Sequence, residues 1–357
     1  MNIEKAIGQF IMIGLEGTRL SNIERKFLKE IKPSGVVYFK RNIESPNQVA
    51  HLSQDLFSIL KNPLIGIDQE GGRVARLTYP FTEFSANAHL GNYYNKTRKL
   101  DLIHKKAKAM ASELKAVGVN LNFTPVVDVH SNPKNPIIGD RAFGVSPSLV
   151  GKLAQETIKI YRRERVVSCA KHFPGHGNTT SDSHKVLPTV KASKALLMRR
   201  EVVPFKFAIS AGVPMIMTAH VIYPSLDPKN PATMSKCILG ELLRQKLKYK
   251  GVIVSDDLEM NAIAKHQALS DAAVQSMAAG VDLLLVCKSL DEAMNIYDAL
   301  SRASRKGILS TKNLETSLSR IIKLKNRYIK TTFMAPQKKI GMWSRHQKWA
   351  NEILAYA

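Results

Sequence analysis

The sequence predicts an α/β protein built as a single-domain (β/α)8 barrel of the TIM type. Short apolar runs rich in β-branched residues recur between stretches long enough for helices. Such near-continuous runs are typical of parallel strands buried on both faces. Eight of them can be counted, and polar residues follow directly after several. Eight strands with polar carboxyl ends are the pattern of a closed barrel whose site lies at the strand ends.

The eight predicted strands are separated by helix-length segments. They lie at 9–14, 34–39, 63–68, 119–128, 166–172, 214–220, 251–256 and 281–286. A doubly wound open sheet is the alternative, but such a sheet usually carries a glycine-rich phosphate loop after its first strand. The segment 15–19 follows the first strand here and has no such pattern. The barrel is therefore favoured.

Helices are predicted between and after these strands. They lie at 46–60, 97–117, 148–164, 192–211, 236–248, 269–279, 290–306 and 311–328. Pro46 suits the first turn of its helix, and Gly212 and Gly280 follow predicted helix ends, as C′ glycines do. Thr311 is expected to cap the last helix.

The barrel is expected to span residues 1–330, with residues 331–357 forming a C-terminal tail. This tail contains both tryptophans, and we expect a short helix there that packs against the barrel. The first residues show no signal-peptide pattern, and no apolar run approaches the roughly 18 residues of a membrane span. Three widely separated cysteines indicate neither a disulfide framework nor a zinc site. We expect a cytoplasmic monomer that does not bind membranes.

Positive charge is in large excess, with 53 Lys and Arg against 29 Asp and Glu and a net charge of +24. Such a field attracts nucleic acid, acidic lipid or anionic substrates. The charges are nevertheless dispersed over predicted helices, and no basic arm or aromatic-interleaved patch stands out. We interpret the charge as a surface bias and expect no nucleic-acid partner. A barrel that binds polyanions or cell wall without turnover is the alternative.

Polar side chains follow five predicted strands, whose carboxyl ends share one face of a barrel. The residues at these ends are Asp68 to Arg76, Asp128 to His130, Lys171 to His184, Thr218 to His220, and Ser255 to Glu259. Asp256 and Asp257 are adjacent, so strand alternation lets only one face the site at full reach. The other is expected to cap the following helix or to bind backbone.

The loop after the fifth strand, residues 171–184, contains several side chains that can act in catalysis: one Lys, three His and one Asp. Asp182 and His184 are two residues apart, so a turn can bring the carboxylate to the imidazole, orient it and stabilise its cation. Such a pair is an acid/base unit near neutral pH. Alternatively, both side chains bind only backbone. The glycines at 175 and 177 indicate a loop that can move.

Lys171 and His172 leave their strand on opposite sides unless the backbone bends, and the following Pro174 and Gly175 allow a bend.

A metal site is the competing interpretation of this loop. His172, His176, Asp182 and His184 offer enough ligands, but their spacing fits no tight signature. The first strand also lacks the His-x-His pattern of barrel metallohydrolases. We expect no metal and no other cofactor.

Four segments together resemble the family 3 glycoside hydrolases, specifically their β-N-acetylhexosaminidase branch. The signature is Lys171-His172-Phe173-Pro174-Gly175-His176-Gly177 followed by Asp182-Ser183-His184. The segments 66–74, 139–144 and 252–258 are similar to that branch as well, and the motifs run in family order. Within the branch, the likeness is strongest to single-domain cytoplasmic members that act in peptidoglycan recycling.

The resemblance implies a role for each matched residue. Asp256 would be the nucleophile of a retaining two-step hydrolysis, and His184 the general acid/base with Asp182 as its partner. A second set would bind a terminal N-acetylglucosamine (GlcNAc): Asp68, Arg76, Arg141, Lys171 and His172. The implied substrate is a muropeptide, GlcNAc linked to 1,6-anhydro-N-acetylmuramic acid (MurNAc) with or without peptide. A phosphorylase of the same architecture is the alternative, because a neutral His would not repel a phosphate nucleophile.

Overall fold

Eight parallel strands close into a barrel in the computed structural model of the protein, which describes residues 3–179, 187–329, 332–335 and 343–357. The strands in chain order are β1 (Ile11–Gly14), β2 (Gly35–Tyr38), β3 (Leu64–Ile67), β4 (Leu121–Asn122), β5 (Val167–Phe173), β6 (Met215–Thr218), β7 (Ile222–Tyr223), β8 (Asp227–Pro231), β9 (Val252–Asp257) and β10 (Leu283–Val286). The barrel runs β1-β2-β3-β4-β5-β6-β9-β10 and closes from β10 to β1, while β7 and β8 form a separate antiparallel hairpin. The predicted (β/α)8 fold is confirmed.

Helices surround the barrel. The α-helices are α1 (Asn22–Ile31), α2 (Pro46–Ile59), α3 (Asn87–Thr97), α4 (Asp101–Ala116), α5 (Pro147–Arg163), α6 (Lys194–Arg199), α7 (Val203–Ser210), α8 (Asn261–Ala264), α9 (Leu269–Ala279), α10 (Leu290–Arg305), α11 (Thr311–Tyr328) and α12 (Ser344–Leu354). A π-helical segment spans Cys237–Lys246, and short 3-10 turns include Gly139–Arg141. Within the described residues, no helix is both long and apolar enough to span a bilayer.

The barrel strands are held by apolar side chains that are removed from water. Ile13, Ile65 and Leu284 are each 0% exposed. Parallel register is regular around β1, where Ile11 pairs with Leu284 and Met12 with Gly35. Buried, β-branched runs of this kind are what allowed the strands to be predicted, because both faces of a parallel strand are covered.

Two predicted helices differ from the observed ones for local reasons, and the predicted helix 311–328 is observed with a different N-cap. The predicted helix 97–117 begins only at Asp101, after α3 ends at Arg98 in the left-handed region. The predicted helix 192–211 is broken into α6 and α7, and Pro204 lies in the first turn of α7, where its missing N–H costs no hydrogen bond. Thr311 is the first residue of α11, and Ser310 occupies the N-cap. Gly280 ends α9 with a φ of 117°, as predicted.

The fourth strand is much shorter than the predicted 119–128. Only Leu121 and Asn122 form ladder pairs with both neighbours, and one further bridge joins Val126 to Lys171. Pro125 lies between them and has no N–H to donate to a sheet. The chain after β4 therefore stays beside β5 through irregular hydrogen bonds, such as Val127 N–H to the Lys171 carbonyl oxygen at 2.9 Å, without forming a regular ladder.

The last two helices cover parts of the barrel that the eight β/α units leave open. Asp282 precedes β10 and accepts hydrogen bonds from Ser317 and Arg320 of α11 at 2.7 and 2.8 Å. In the tail, Trp343 stacks on Phe81 with 5.2 Å between ring centres. His346 of α12 binds Glu113 of α4 with 2.7 Å between Nδ1 and Oε1. Polar contacts as well as apolar packing thus fix both helices.

Leu284→Ala should reveal how much the buried side chains of the barrel strands contribute to stability. The side chain is fully buried on β10, so truncation should lower the free energy of unfolding by about 2–5 kcal/mol. Ile23 is 75% exposed, and Ile23→Ala should change it by no more than about 0.5 kcal/mol. Urea unfolding followed by tryptophan fluorescence provides the measurement. Equal losses in the two variants would contradict the assigned core.

Candidate active site

A cavity of about 260 Å³ lies at the carboxyl ends of the barrel strands. Six predicted site residues line it together: Asp68, Arg76, Arg141, Lys171, His172 and Asp256. Lys171 and His172 lie on β5 and Asp256 on β9, while the other three come from the loops that follow β3 and β4. The other two predicted residues, Asp182 and His184, fall outside the residues that the structure describes.

A larger cavity of about 940 Å³ opens at the opposite end of the barrel. Its walls come from the residues that precede β6 and β9 and from α11. Because barrel enzymes build their sites from the carboxyl ends of the strands, the smaller cavity is the candidate active site.

A chain of ion pairs forms one wall of this site. Lys171 Nζ lies 2.7 Å from Asp68 Oδ1 and 2.6 Å from Glu70 Oε1. Arg141 binds the same Glu70 carboxylate through two parallel bonds, Nε to Oε2 at 2.9 Å and Nη2 to Oε1 at 2.8 Å. Arg76 Nη2 approaches Asp68 Oδ2 at 3.3 Å. Glu70 therefore bridges the two cations and fixes where both point.

Burial and charge act in opposite directions on this chain. Burial alone would raise the pKa of Glu70, but Arg141 and Lys171 hold that pKa well below its usual value. Burial alone would lower the pKa of Lys171, and the carboxylates of Asp68 and Glu70 raise it above its usual value. Glu70, Lys171 and Arg141 are therefore charged at neutral pH. Cationic donors aimed into a small cavity suit sugar hydroxyls and an amide carbonyl.

A buried carboxylate also holds the histidine of β5. Asp128 is fully buried, and its Oδ2 lies 2.7 Å from His172 Nδ1. The same carboxylate accepts the backbone N–H groups of His172 and His176. Because a carboxylate can only accept a hydrogen bond, Nδ1 carries a proton. The other ring nitrogen, Nε2, is left for the cavity that His172 lines.

Lys171 and His172 both line the cavity although they are adjacent. The pairing of β5 with β6 shifts register between Ala170 and Phe173, so regular alternation ends at this point. The structure thus supplies the irregularity that the sequence analysis required for both side chains to reach one site.

Asp256 and Asp257 make different contacts at the end of β9. The Asp256 carboxylate is half-buried, lines the cavity and accepts the N–H of Asp257 at 2.9 Å. Burial alone would raise the pKa of Asp256, but His172 and His220 hold it below its usual value. Asp257 lines the cavity as well, so the expectation that only one of the pair faces the site is wrong, but its Oδ1 accepts the N–H groups of Glu259 and Cys287, both at 3.2 Å. Asp256 is therefore the ionised carboxylate available to a ligand.

Burial and the negative charge of Glu259 raise the pKa of Asp257 to about 7. His220, from the end of β6, supports this strand end by placing Nε2 3.0 Å from the carbonyl oxygen of Asp257.

The loop that leaves β5 begins with a closely packed stem, residues 174–179. A Cβ on Gly177 would lie 1.6 Å from the carbonyl oxygen of Val129, and one on Gly175 would lie 2.5 Å from Cβ of Glu201. The Lys171–His172 and Phe173–Pro174 peptide bonds are cis. Both glycines therefore have a packing role in the stem, since only glycine allows such close approach, while motion of the loop stays a prediction.

Comparison with known proteins identifies the family of this chain. Residues 2–324 match the model of the glycosyl hydrolase family 3 N-terminal domain. The chain belongs to glycosyl hydrolase family 3. Among curated relatives, a β-hexosaminidase of Alkalilimnicola ehrlichii is 41% identical, covering 78% of this chain and 80% of the relative. A β-hexosaminidase of Thioalkalivibrio sulfidiphilus is 37% identical, covering 81% and 84%.

Solved structures of the family agree with this assignment. A family 3 β-N-acetylglucosaminidase from Paenibacillus sp. FPU-7 has a TM-score of 0.94 at 37% identity, covering 100% of this chain and 69% of that one. NagZ from Neisseria gonorrhoeae, solved in complex with N-trifluoroacetyl-D-glucosamine, has a TM-score of 0.75 at 29% identity, covering 88% and 98%. The family and the glycoside hydrolase predicted from the motifs are confirmed.

Three residues that organise this family 3 site were not among the predicted site residues: Glu70, Asp128 and His220. Each lies at or just after the end of a predicted strand, so its position indicated a place near the site. These residues hold other groups in place. Such a role can be recognised only from interatomic distances, which a sequence does not give. Among the described residues, no three His, Cys, Asp or Glu side chains are close enough to hold a metal ion.

Glu70→Gln should weaken the ion-pair wall by removing the negative charge between Lys171 and Arg141 while leaving both cations in place. Gln keeps the size of Glu but cannot neutralise Lys171 and Arg141, so kcat/KM for an aryl GlcNAc substrate should fall by about 10- to 100-fold. Glu315 is exposed, and Glu315→Gln should leave kcat/KM unchanged. Steady-state kinetics on both variants tests this. Unchanged kcat/KM in Glu70→Gln would show that the bridge is dispensable.

The same substitution should change how stability depends on pH. The folded pKa of Glu70 lies below its ordinary value of 4.5, so its stabilising effect is complete above that value and is lost as the pH falls below it. The difference in unfolding free energy between the native protein and Glu70→Gln should therefore shrink on acidification below about pH 4.5. Urea unfolding at several pH values provides the measurement. A difference that grows on acidification would contradict this sign.

Proposed function

We propose that this family 3 enzyme is a retaining exo-β-N-acetylglucosaminidase. The proposed substrate is a peptidoglycan-derived muropeptide, in which terminal GlcNAc is linked to 1,6-anhydro-MurNAc with or without peptide. The observation that carries the proposal is the position of Asp256. It is an ionised carboxylate that faces the ion-pair wall across a cavity of about 260 Å³. A cavity of this size suits one terminal sugar better than a chain, which favours exo action.

The first step of the proposed mechanism transfers the sugar to Asp256. A carboxylate oxygen attacks the anomeric carbon of GlcNAc, and the bond from that carbon to the aglycone oxygen breaks. His184, partnered by Asp182, gives its proton to the departing oxygen. The aglycone leaves as an alcohol and the enzyme retains a glycosyl ester. The roles of His184 and Asp182 rest on the resemblance of residues 171–184 to the family signature.

The second step returns the enzyme to its starting state. Neutral His184 removes a proton from water, and the resulting oxygen attacks the anomeric carbon from the side that the aglycone left. The ester bond to Asp256 breaks, and GlcNAc is released with its original β configuration. The curated relatives are named as hexosaminidases, which supports water over phosphate as the acceptor.

Substrate binding in this proposal uses the ion-pair wall. Asp68 accepts from sugar hydroxyls, and Lys171 and Arg141 donate to hydroxyls and to the acetamide carbonyl. His172 directs its free ring edge at the sugar, and Arg76 contributes from the rim of the cavity. A neighbouring structure, NagZ of Neisseria gonorrhoeae, was solved with a GlcNAc derivative, which supports a sugar of this type. The proposed location is the cytoplasm, and the proposed state is a monomer.

The adjacent aspartates provide a matched test of the nucleophile. Asp256→Asn should reduce turnover of an aryl GlcNAc substrate by about 10³-fold or more, because the amide cannot form the glycosyl ester. In Asp257→Asn the amide oxygen can still accept the two backbone N–H groups, so activity should stay within about tenfold of the native value. Initial rates with an aryl GlcNAc decide between them. Near-native turnover by Asp256→Asn would overturn the proposal.

A further inference from the structure

Asn135 joins two parts of the site that come from different loops. It lies in the segment between β4 and the Gly139–Arg141 turn, and only 6% of it is exposed. Its side-chain amide carries a donating nitrogen and an accepting oxygen, and each end contacts a different segment. The two segments are the stem of the β5 loop and the turn that carries Arg141.

The amide nitrogen of Asn135 holds the stem. Nδ2 lies 2.9 Å from the carbonyl oxygen of His176, 3.1 Å from that of Gly177 and 3.1 Å from Thr179 Oγ1. Asn132 adds a single bond of 3.1 Å to the carbonyl oxygen of Thr179. The stem ends three residues before Asp182 and five before His184. Asn135 therefore fixes the position of the stem, after which the chain continues to the proposed acid/base residues.

The amide oxygen of Asn135 holds the Arg141 turn. Oδ1 accepts the N–H groups of Ile137 and Ile138 at 2.8 and 2.9 Å. The carbonyl oxygens of the same two residues accept from Arg141, from Nη1 at 3.1 Å and from the backbone N–H at 2.9 Å. The orientation of Arg141 therefore depends on Glu70 at one side and on this turn at the other.

We propose that Asn135 is a positioning residue that couples the sugar-binding Arg141 turn to the stem of the acid/base loop. It acts through the backbone of both segments and through the hydroxyl of Thr179. Its amide is fully used, and no other common side chain of this size both donates and accepts at these positions. The inference rests on the proposed function because it assigns the proton-transfer step to residues beyond the stem.

Asn135→Asp separates the two contacts. The carboxylate keeps the oxygen that accepts from Ile137 and Ile138, but it cannot donate to the stem and would repel its carbonyl oxygens. Rates with a poor alkyl leaving group, which needs protonation, should fall by about tenfold or more. Rates with an activated aryl leaving group, which needs little protonation, should fall by less than about threefold. A merely structural role would lower both rates equally.

Asn87→Asp is the matched control. Asn87 Nδ2 donates to the carbonyl oxygen of Arg141 at 2.9 Å, and its Oδ1 accepts from Lys106. Neither contact involves the stem. This variant should raise KM for both leaving groups to the same extent. A leaving-group effect as large as that of Asn135→Asp would show that the coupling is not specific to Asn135.

His184→Ala, measured beside these variants, separates failure of the inference from failure of the proposed function. If His184→Ala is selective for poor leaving groups and Asn135→Asp is not, the positioning role is overturned and the proposed function stands. If His184→Ala is not selective, the proposed acid/base role fails and the inference fails with it. Should Asn135→Asp not fold, Asn132→Ala removes one stem bond and should show the same selectivity to a smaller degree. Equal effects of Asn132→Ala on both leaving groups would overturn the inference.

Discussion

One buried carboxylate, Glu70, fixes the two cations on which the ion-pair wall of the site depends. It binds Lys171 and Arg141 at 2.6–2.9 Å, although these residues come from different parts of the barrel. A cation in an enclosed cavity loses hydration, and a paired carboxylate offsets that cost only with close geometry. In the proposed mechanism, Lys171 and Arg141 can therefore donate hydrogen bonds to a neutral sugar, because the paired carboxylate keeps both side chains protonated and fixes their orientation.

In the proposed mechanism, binding and covalent chemistry are assigned to different parts of the barrel. The loops after β3 and β4, together with β5, supply the ion-pair wall, whereas β9 supplies Asp256. Short strands with buried apolar side chains hold these ends at fixed distances, as in other barrels that build sites from several strands. Buried acceptors then orient individual groups: Asp128 orients His172, and Asn135 joins the Arg141 turn to the β5 loop.

Much of this architecture was predictable because it follows from periodic burial. The eight apolar runs became the eight barrel strands, and six predicted site residues meet in one cavity. The errors arose where tertiary contacts override local pattern. Pro125 interrupts the fourth strand, and Pro204 lies in the first turn of a second helix. Glu70 escaped prediction as a site residue because its role is visible only once Lys171 and Arg141 are brought together.

The claim that Asp256 forms the covalent intermediate is tested most directly by trapping it. A 2-fluoro or 5-fluoro sugar that slows the second step should label the protein once, in the tryptic peptide spanning residues 251–265. That peptide contains both Asp256 and Asp257, so fragmentation in the mass spectrometer must resolve the two. The account predicts the sugar on Asp256. A label on Asp257 or outside this peptide would contradict it, as would continued turnover with no trapped sugar.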